Sequence, residues 1–290
     1  MRKSAIKAFN LLVILLAFEC LLGCKPDNPA IKMKGSDTEV NLAVNLAEKF
    51  TQVDQTFNIA ISGGGSGLGI TSLLNGQADI ANSSRPLSPE EVAQFKAKGI
   101  ALHTVVFAED ATAFIVHKDL PLDEIDVETL GHILNGSIKN WSELIDVNLP
   151  INIYGRQSSS GTHSFIKKKL RIEFSNAAKE MTGNAQIIEG IKVDRSGIGY
   201  VGAGYVAHAP EDNRHVKILK IREKQAGPAI SPIDPHAINA RAYYFQRPLY
   251  QFVLTKSWGK VKPFIDFEKS MAGRQLIEQH GYYIIDNHEI

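Results

Sequence analysis

Apolar runs with strand-like alternation are followed again and again by amphipathic stretches of helical period along this chain, and a small polar loop marks most of the junctions. That alternation predicts an α/β sheet, with the chemistry concentrated in the loops. The first helix is expected from about Glu39 to Val53, with Val40, Val44, Ala47 and Phe50 on one face, and Ser36 with Glu39 has the Ser-x-x-Glu spacing of a capping box. Phe57, Ile59 and Ile61 alternate as a strand, and Gly63 to Gly67 then lead into a helix burying Ile70, Leu73 and Leu74. A third strand around Ile80 ends in Asn82-Ser83-Ser84-Arg85-Pro86, and Ser88-Pro89-Glu90-Glu91 opens the next helix with a second capping box and proline at its first position. Two strands follow, near Leu102 to Phe107 and Thr112 to His117. The middle of the chain repeats the device: strand Ile151 to Tyr154, loop Gly155 to Thr162, and a helix carrying Phe165, Ile166 and Leu170. Tyr243 to Leu254 reads as a long strand, and Phe264 to Gln279 as a closing helix that Gly281 ends.

The N-terminus carries a different signal. Arg2, Lys3 and Lys7 precede an apolar run from Leu11 to Phe18, and Leu21-Leu22-Gly23-Cys24 closes the segment. This is the layout of an export signal, and a small residue directly before cysteine looks like a bacterial lipobox. Residues 1–23 are therefore expected to be a lipoprotein signal peptide, with Cys24 carrying lipid and the protein anchored at the periplasmic or cell surface side of a bacterial membrane. The apolar run is shorter than the roughly 20 residues of a membrane span, and Glu19 interrupts it. The segment carries three basic residues and one acid, so its removal moves the net charge from +1 to about −1, and no overall basic field points to nucleic acid. Cys20 and Cys24 are the two cysteines, so the body has neither a disulfide nor a cysteine metal site.

A helix start leaves backbone N–H groups unpaired and carries about half a positive charge, so a glycine-rich loop entering one suits an anion. Hydroxyls at Ser36 and Thr38, at Ser66, and at Ser160 and Thr162 form three such cages, and Arg156 adds a charged fork for oxyanion oxygens. Most Ser and Thr residues at helix starts only cap, so the reading rests on three loops together. Other motifs fail. Gly64 to Thr71 has the spacing of an NTPase phosphate loop, but Ile70 stands where the lysine belongs; Gly197 to Gly202 matches G-x-G-x-x-G inside an apolar strand rather than between strand and helix; Leu68 breaks a nucleophile elbow at Ser66. The nine histidines contain no H-x-x-x-H pair, and His163 reads as a first-turn residue of its helix.

Gly35-Ser36-Asp37-Thr38, Gly64-Gly65-Ser66-Gly67, Asp79 to Pro86, Arg156 through Thr162 and Gly197 to Val201 resemble, in order, the motifs of the PstS family, the phosphate-binding proteins of Pst-type ABC importers. The resemblance spans the chain after the signal and implies a type II periplasmic binding protein, with two α/β lobes joined by two crossing strands that close around ligand. Thr112 to His117 and Tyr243 to Leu254 are the expected crossings. Residues 24–110 and 248–290 would form lobe one, and residues 111–247 lobe two. The same resemblance implies phosphate contacts from Ser36, Thr38, Ser66, Ser84 and Arg85 in lobe one and from Arg156, Ser160, Gly161 and Thr162 in lobe two. It departs at Ser84, where longer members carry an aspartate that accepts the proton of hydrogen phosphate; Asp110 is the candidate substitute.

The resulting expectation is a monomeric, non-enzymatic receptor without metal or cofactor that delivers inorganic phosphate to a permease. Sulfate, molybdate or tungstate would suit similar chemistry. A hydrolase lacks triad spacing or an elbow here, and a surface adhesin with a disused pocket would not need Arg156 and the hydroxyl set. The lipobox makes its own prediction: Cys24→Ala should move the protein from the membrane fraction to the soluble fraction, whereas a soluble wild-type chain with an unmodified Cys24 by mass spectrometry would exclude the anchor.

Overall fold

The computed structural model describes residues 30–207, 214–224 and 226–285, so the expected signal peptide, Cys20 and Cys24 lie outside it. Three strands open the described chain, β1 (Ile31–Gly35), β2 (Ile59–Ser62) and β3 (Ile80–Ser83), and each leads through a short loop into a helix, α1 (Val40–Val53), α2 (Ser66–Leu74) and α3 (Pro89–Ala97). After β4 (Leu102–His117) come β5 (Glu124–Asp126), α4 (Val127–Leu134), β6 (Asn152–Arg156), α5 (Gly161–Leu170), β7 (Lys179–Met181), α6 (Asn184–Val193), β8 (Gly197–Gly202) and α7 (Ala203–Ala207). The remainder is β9 (Val216–Ile218), β10 (Lys220–Arg222), β11 (Ala229–Ile230), α8 (Pro235–Asn239), β12 (Gln246–Leu254), α9 (Trp258–Lys269) and α10 (Met271–Gln279).

The main sheet runs β2-β1-β3-β12-β4-β8-β6-β7, with β9 also on β4; β5, β10 and β11 form a small second sheet. On one side β1 is parallel to β2 and β3, and on the other β6 is parallel to β7 and β8. Two antiparallel strands join these halves. The first part of β4 pairs with β12 from Leu102–Leu254 to Ala111–Gln246, and the rest pairs with β8 from Thr112–Gly202 to Val116–Ile198. The side chains follow this division into two lobes. One core gathers residues between Ala111 and Phe245, including Phe114, Trp141, Ile166 and Tyr200; another gathers Ile31 to Ala108 with Leu249 to Tyr282. Phe50 ties α1 to α9 through ring contacts with Phe264 and Phe267 at 5.6 and 5.4 Å, each adding about 1 kcal/mol beyond burial.

Four local expectations change. Leu102–Phe107 and Thr112–His117 are one 16-residue strand, because Asp110 finds a charged partner across the ladder and so does not end the run. The closing helix breaks at Ser270, whose extended backbone caps α10 by accepting from the Gly273 N–H, so α9 and α10 are separate. The buried face of α1 is Leu42, Ala43, Leu46, Ala47 and Phe50, leaving Val44 exposed. The Ser36–Glu39 capping box does not form: Glu39 precedes α1 without a side-chain cap, and Ser36 Oγ accepts from the Thr38 N–H at 3.2 Å. At α3 the Ser88–Glu91 box is present, with Pro89 at the first turn.

α2 sits directly on β1, and only a glycine allows that approach. A Cβ on Gly69 would lie 2.5 Å from the Lys34 carbonyl oxygen and 2.6 Å from Gly35 Cα, both backbone atoms. Gly69→Ala should therefore push α2 off the sheet and cost about 1–3 kcal/mol, despite alanine's better helix propensity. A urea midpoint equal to or above wild type would refute this packing.

Candidate functional site

The loops after β1, β2, β3 and β6 converge where the two lobes meet. Ser36, Thr38, Ser66, Ser84, Ser160 and Thr162 are all at most 3% exposed, and they belong to four loops far apart in sequence. Thr38 Oγ1 of the first lobe lies 3.1 Å from Thr162 Oγ1 of the second. Ser66 Oγ accepts from the Ser84 N–H at 3.1 Å, with the two hydroxyls 3.4 Å apart. Gly161 presses against this pair so closely that a Cβ there would collide with both hydroxyl oxygens. The Gly67 N–H, at the start of α2, donates to the Ser159 carbonyl across the cleft at 2.9 Å. α1 and α2 both start without a side-chain cap, whereas Ser160 caps α5 by accepting from the His163 N–H at 3.4 Å.

Two ion pairs, one partly buried and one fully buried, hold the charged groups. Arg156, at the end of β6, donates through Nη2 to Asp37 Oδ2 at 2.5 Å and to the Thr182 carbonyl at 2.9 Å, and through Nε to the Met181 carbonyl at 3.2 Å. Asp37 Oδ1 in turn accepts from the Gly64 N–H at 2.8 Å, so the pair spans the lobes. The second pair is one the sequence reading missed. Arg247 on β12 lies directly opposite Asp110 on β4 and donates to Asp110 Oδ2 from Nε at 3.1 Å and from Nη2 at 2.8 Å. The same Nη2 reaches Thr38 Oγ1 at 3.2 Å and Thr162 Oγ1 at 3.0 Å. The available signal was an arginine before a proline inside one expected strand and an acid between two others; what hid it was the strand register.

Arg85 does not join this cluster. Its guanidinium makes a two-pronged pair with Glu91 at 2.7 Å on both arms, at the start of α3. His163 is half-buried and stacks on Phe174 at 4.5 Å, and Gly197 to Gly202 form a fully buried strand with no nucleotide-loop geometry. Among the described residues no cluster of His, Cys, Asp or Glu could hold a metal ion, and no helix is long and apolar enough to cross a membrane.

The model of the PBP superfamily domain matches residues 25–269. The chain belongs to the PBP superfamily. Among curated relatives it is 29% identical over 288 residues to the phosphate-binding protein PstS of Borreliella burgdorferi, covering 95% of this chain and 98% of that one. It is 27% identical to the PstS of Pseudomonas aeruginosa, over 86% of this chain and 80% of the relative. Among solved structures, an ABC-type phosphate transport receptor from Vibrio cholerae superposes with a TM-score of 0.68 at 26% identity, covering 88% of this chain and all of the other. A putative phosphate ABC transporter substrate-binding protein from Clostridium perfringens reaches 0.79 at 23% identity over 89% of this chain and all of the other, a likeness of fold. These neighbours share the two-lobed architecture, which places this member's hydroxyl cluster in the cleft between the lobes.

Burial sets the charge state of that cleft. Asp110 is pushed up to about 6 by burial, with Arg247 pulling it back, so it is largely ionised at neutral pH. Glu39, next to Thr38, is pushed up to about 8 by burial, against a smaller pull from the Ser36 hydroxyl and Arg247. Neither Glu39 oxygen has a partner at hydrogen-bond geometry among the described residues. Unfolded, that carboxyl titrates near 4.5, so between about 4.5 and 8 the folded state holds the extra proton. Folded stability attributable to this group is greatest below 4.5 and falls as pH rises towards 8. Glu39→Gln, which keeps the shape without the titration, should thus gain on wild type as pH rises, by on the order of a few kcal/mol between pH 5 and pH 9. Denaturant unfolding at the two pH values tests it; a pH-independent difference would mean that Glu39 is not held protonated by the fold.

Proposed function

We propose that this protein captures inorganic phosphate between its two lobes and presents it to the permease of an ABC importer, from a lipid-anchored position outside the cytoplasm. The observation that carries this reading is the convergence of buried hydroxyls from both lobes on a guanidinium–carboxylate pair, in a chain whose relatives over 86–95% of its length include the phosphate-binding PstS proteins of Borreliella burgdorferi and Pseudomonas aeruginosa. Ser36, Thr38, Ser66 and Ser84 supply the contacts of lobe one, and Arg156, Ser160, Gly161 and Thr162 those of lobe two. The lobes divide at residues 110 and 247 on the crossing strands. No residue set for bond making is needed: hydroxyls, backbone N–H groups and guanidinium N–H groups all donate to anion oxygens, and they bind without reacting.

Selectivity rests on Asp110. Hydrogen phosphate carries an O–H and needs an acceptor, which the serine at position 84 supplies less well than a carboxylate. Asp110 Oδ1 is buried and unpartnered, while Oδ2 is committed to Arg247, so one ionised oxygen remains to accept that proton and to repel a fully ionised anion. Titration calorimetry on protein stripped of bound anion tests this with phosphate, sulfate and molybdate. Phosphate should bind at least ~100-fold more tightly than the others, and Asp110→Asn should narrow the gap to sulfate by about tenfold or more, because an amide donates where the carboxylate repels. Tight sulfate or molybdate binding with weak phosphate binding would reassign the anion; unchanged selectivity in Asp110→Asn would remove Asp110 from the site.

A further inference from the structure

Arg247 is the feature of the cleft that no motif announced, and it differs from Arg156 in what it leaves free. Each arm of Arg156 already has a protein partner: Nε the Met181 carbonyl, Nη1 the Asn184 side-chain oxygen at 3.4 Å, and Nη2 both Asp37 and the Thr182 carbonyl. Arg247 is as deeply buried, at 3% exposure, yet its Nη1 has no hydrogen-bond partner. The same guanidinium reaches the two threonine hydroxyls, one per lobe, through Nη2, and its Cζ lies 5.0 Å from the centre of the Phe165 ring. A buried guanidinium arm without an acceptor is costly, and the guanidinium is aimed by Asp110 into the hydroxyl cluster rather than out to water.

We infer that Arg247, a residue of the crossing strand β12, is a direct charged ligand of the bound anion and the group through which the anion holds both lobes. Its Nη1 donates to an anion oxygen, while Nη2 remains shared among Asp110, Thr38 and Thr162. Because the arginine stands on a strand that joins the lobes, it needs no lobe movement to be in place; Thr38 and Thr162 come to it from opposite sides. An anion bound there completes the set that only the closed arrangement brings together. Asp110 acts on this residue as a positioning partner, holding the guanidinium plane by two donors to one oxygen. The inference rests on the phosphate reading given above and adds to it the residue that carries the charge.

Removing one member of a buried pair endangers the fold, so the decisive variant removes both charges: Asp110→Asn together with Arg247→Gln leaves no buried unpaired ion. The expected result by titration calorimetry with inorganic phosphate is a loss of at least ~100-fold relative to Asp110→Asn alone, with a melting temperature, measured without phosphate, near that of wild type. Arg247→Lys is the second variant. It keeps the charge facing Asp110, but one ammonium cannot also reach an anion oxygen as a fork does, and about a tenfold loss is expected at unchanged anion-free stability. Phosphate binding in the double variant equal to that of Asp110→Asn, or in Arg247→Lys equal to that of wild type, would overturn the inference while leaving phosphate capture intact. Failure of the wild-type protein to bind phosphate would instead overturn the functional reading, and this inference with it.

Discussion

The buried pair between Arg247 and Asp110 is the interaction around which the rest of this molecule is arranged. It lies where the two lobes join, on the two strands that pass between them, in a ladder that places the residues opposite one another. Desolvating both ions is expensive and is offset only by close geometry and further hydrogen bonds, so such a pair is poor evidence for stability alone. Here the further bonds go to Thr38 and Thr162, which come from different lobes. The ion pair therefore fixes a polar point in the interior of the joined sheet, and the cleft is built around that point.

Everything else in the cleft follows from how parallel α/β sheets end. The strands point their C-terminal ends at the gap between the lobes, and the helices that follow begin there with donors unpaired. Small residues make the convergence possible. Gly69 lets α2 lie against β1, which fixes where Ser66 stands, and Gly161 lets the second lobe reach the Ser66 and Ser84 hydroxyls. The cross-lobe pair of Arg156 with Asp37 then braces the outer part of the same contact. Uncharged buried Glu39 keeps the first helix start from adding a negative charge beside the hydroxyls at neutral pH.

Much of the fold was legible in the chain because local periodicity and loop composition report local structure. The strand around Ile80, the helix after Gly161 and the Ser88–Pro89 start all appear where their sequence places them. The failures share a cause. The Ser36–Glu39 box is correct in spacing, but the loop carrying it is buried in the cleft, and burial drew Ser36 and Glu39 into other roles. The break expected between Phe107 and Thr112 is absent because Asp110, costly inside a sheet when unpaired, is matched by an arginine far away in the chain. Arg85 looked equivalent to the cleft residues in sequence, yet Glu91, six positions on, takes its guanidinium.

By itself the amino-acid order determined the α/β class, the positions of the anion-suited loops, and the family likeness, since each depends on residues near one another in the chain. It also determined that Arg156 would head the polar loop after a strand and that the Ser-Gly-Thr run would sit at the following helix start. Only the tertiary structure decided which charges meet. Arg247 is 137 residues from Asp110 and 85 from Thr162, and their encounter depends on the register of β12 against β4 and on the approach of two lobes. Register is a property of paired strands, set by the packing of both faces at once, so no single segment could announce it.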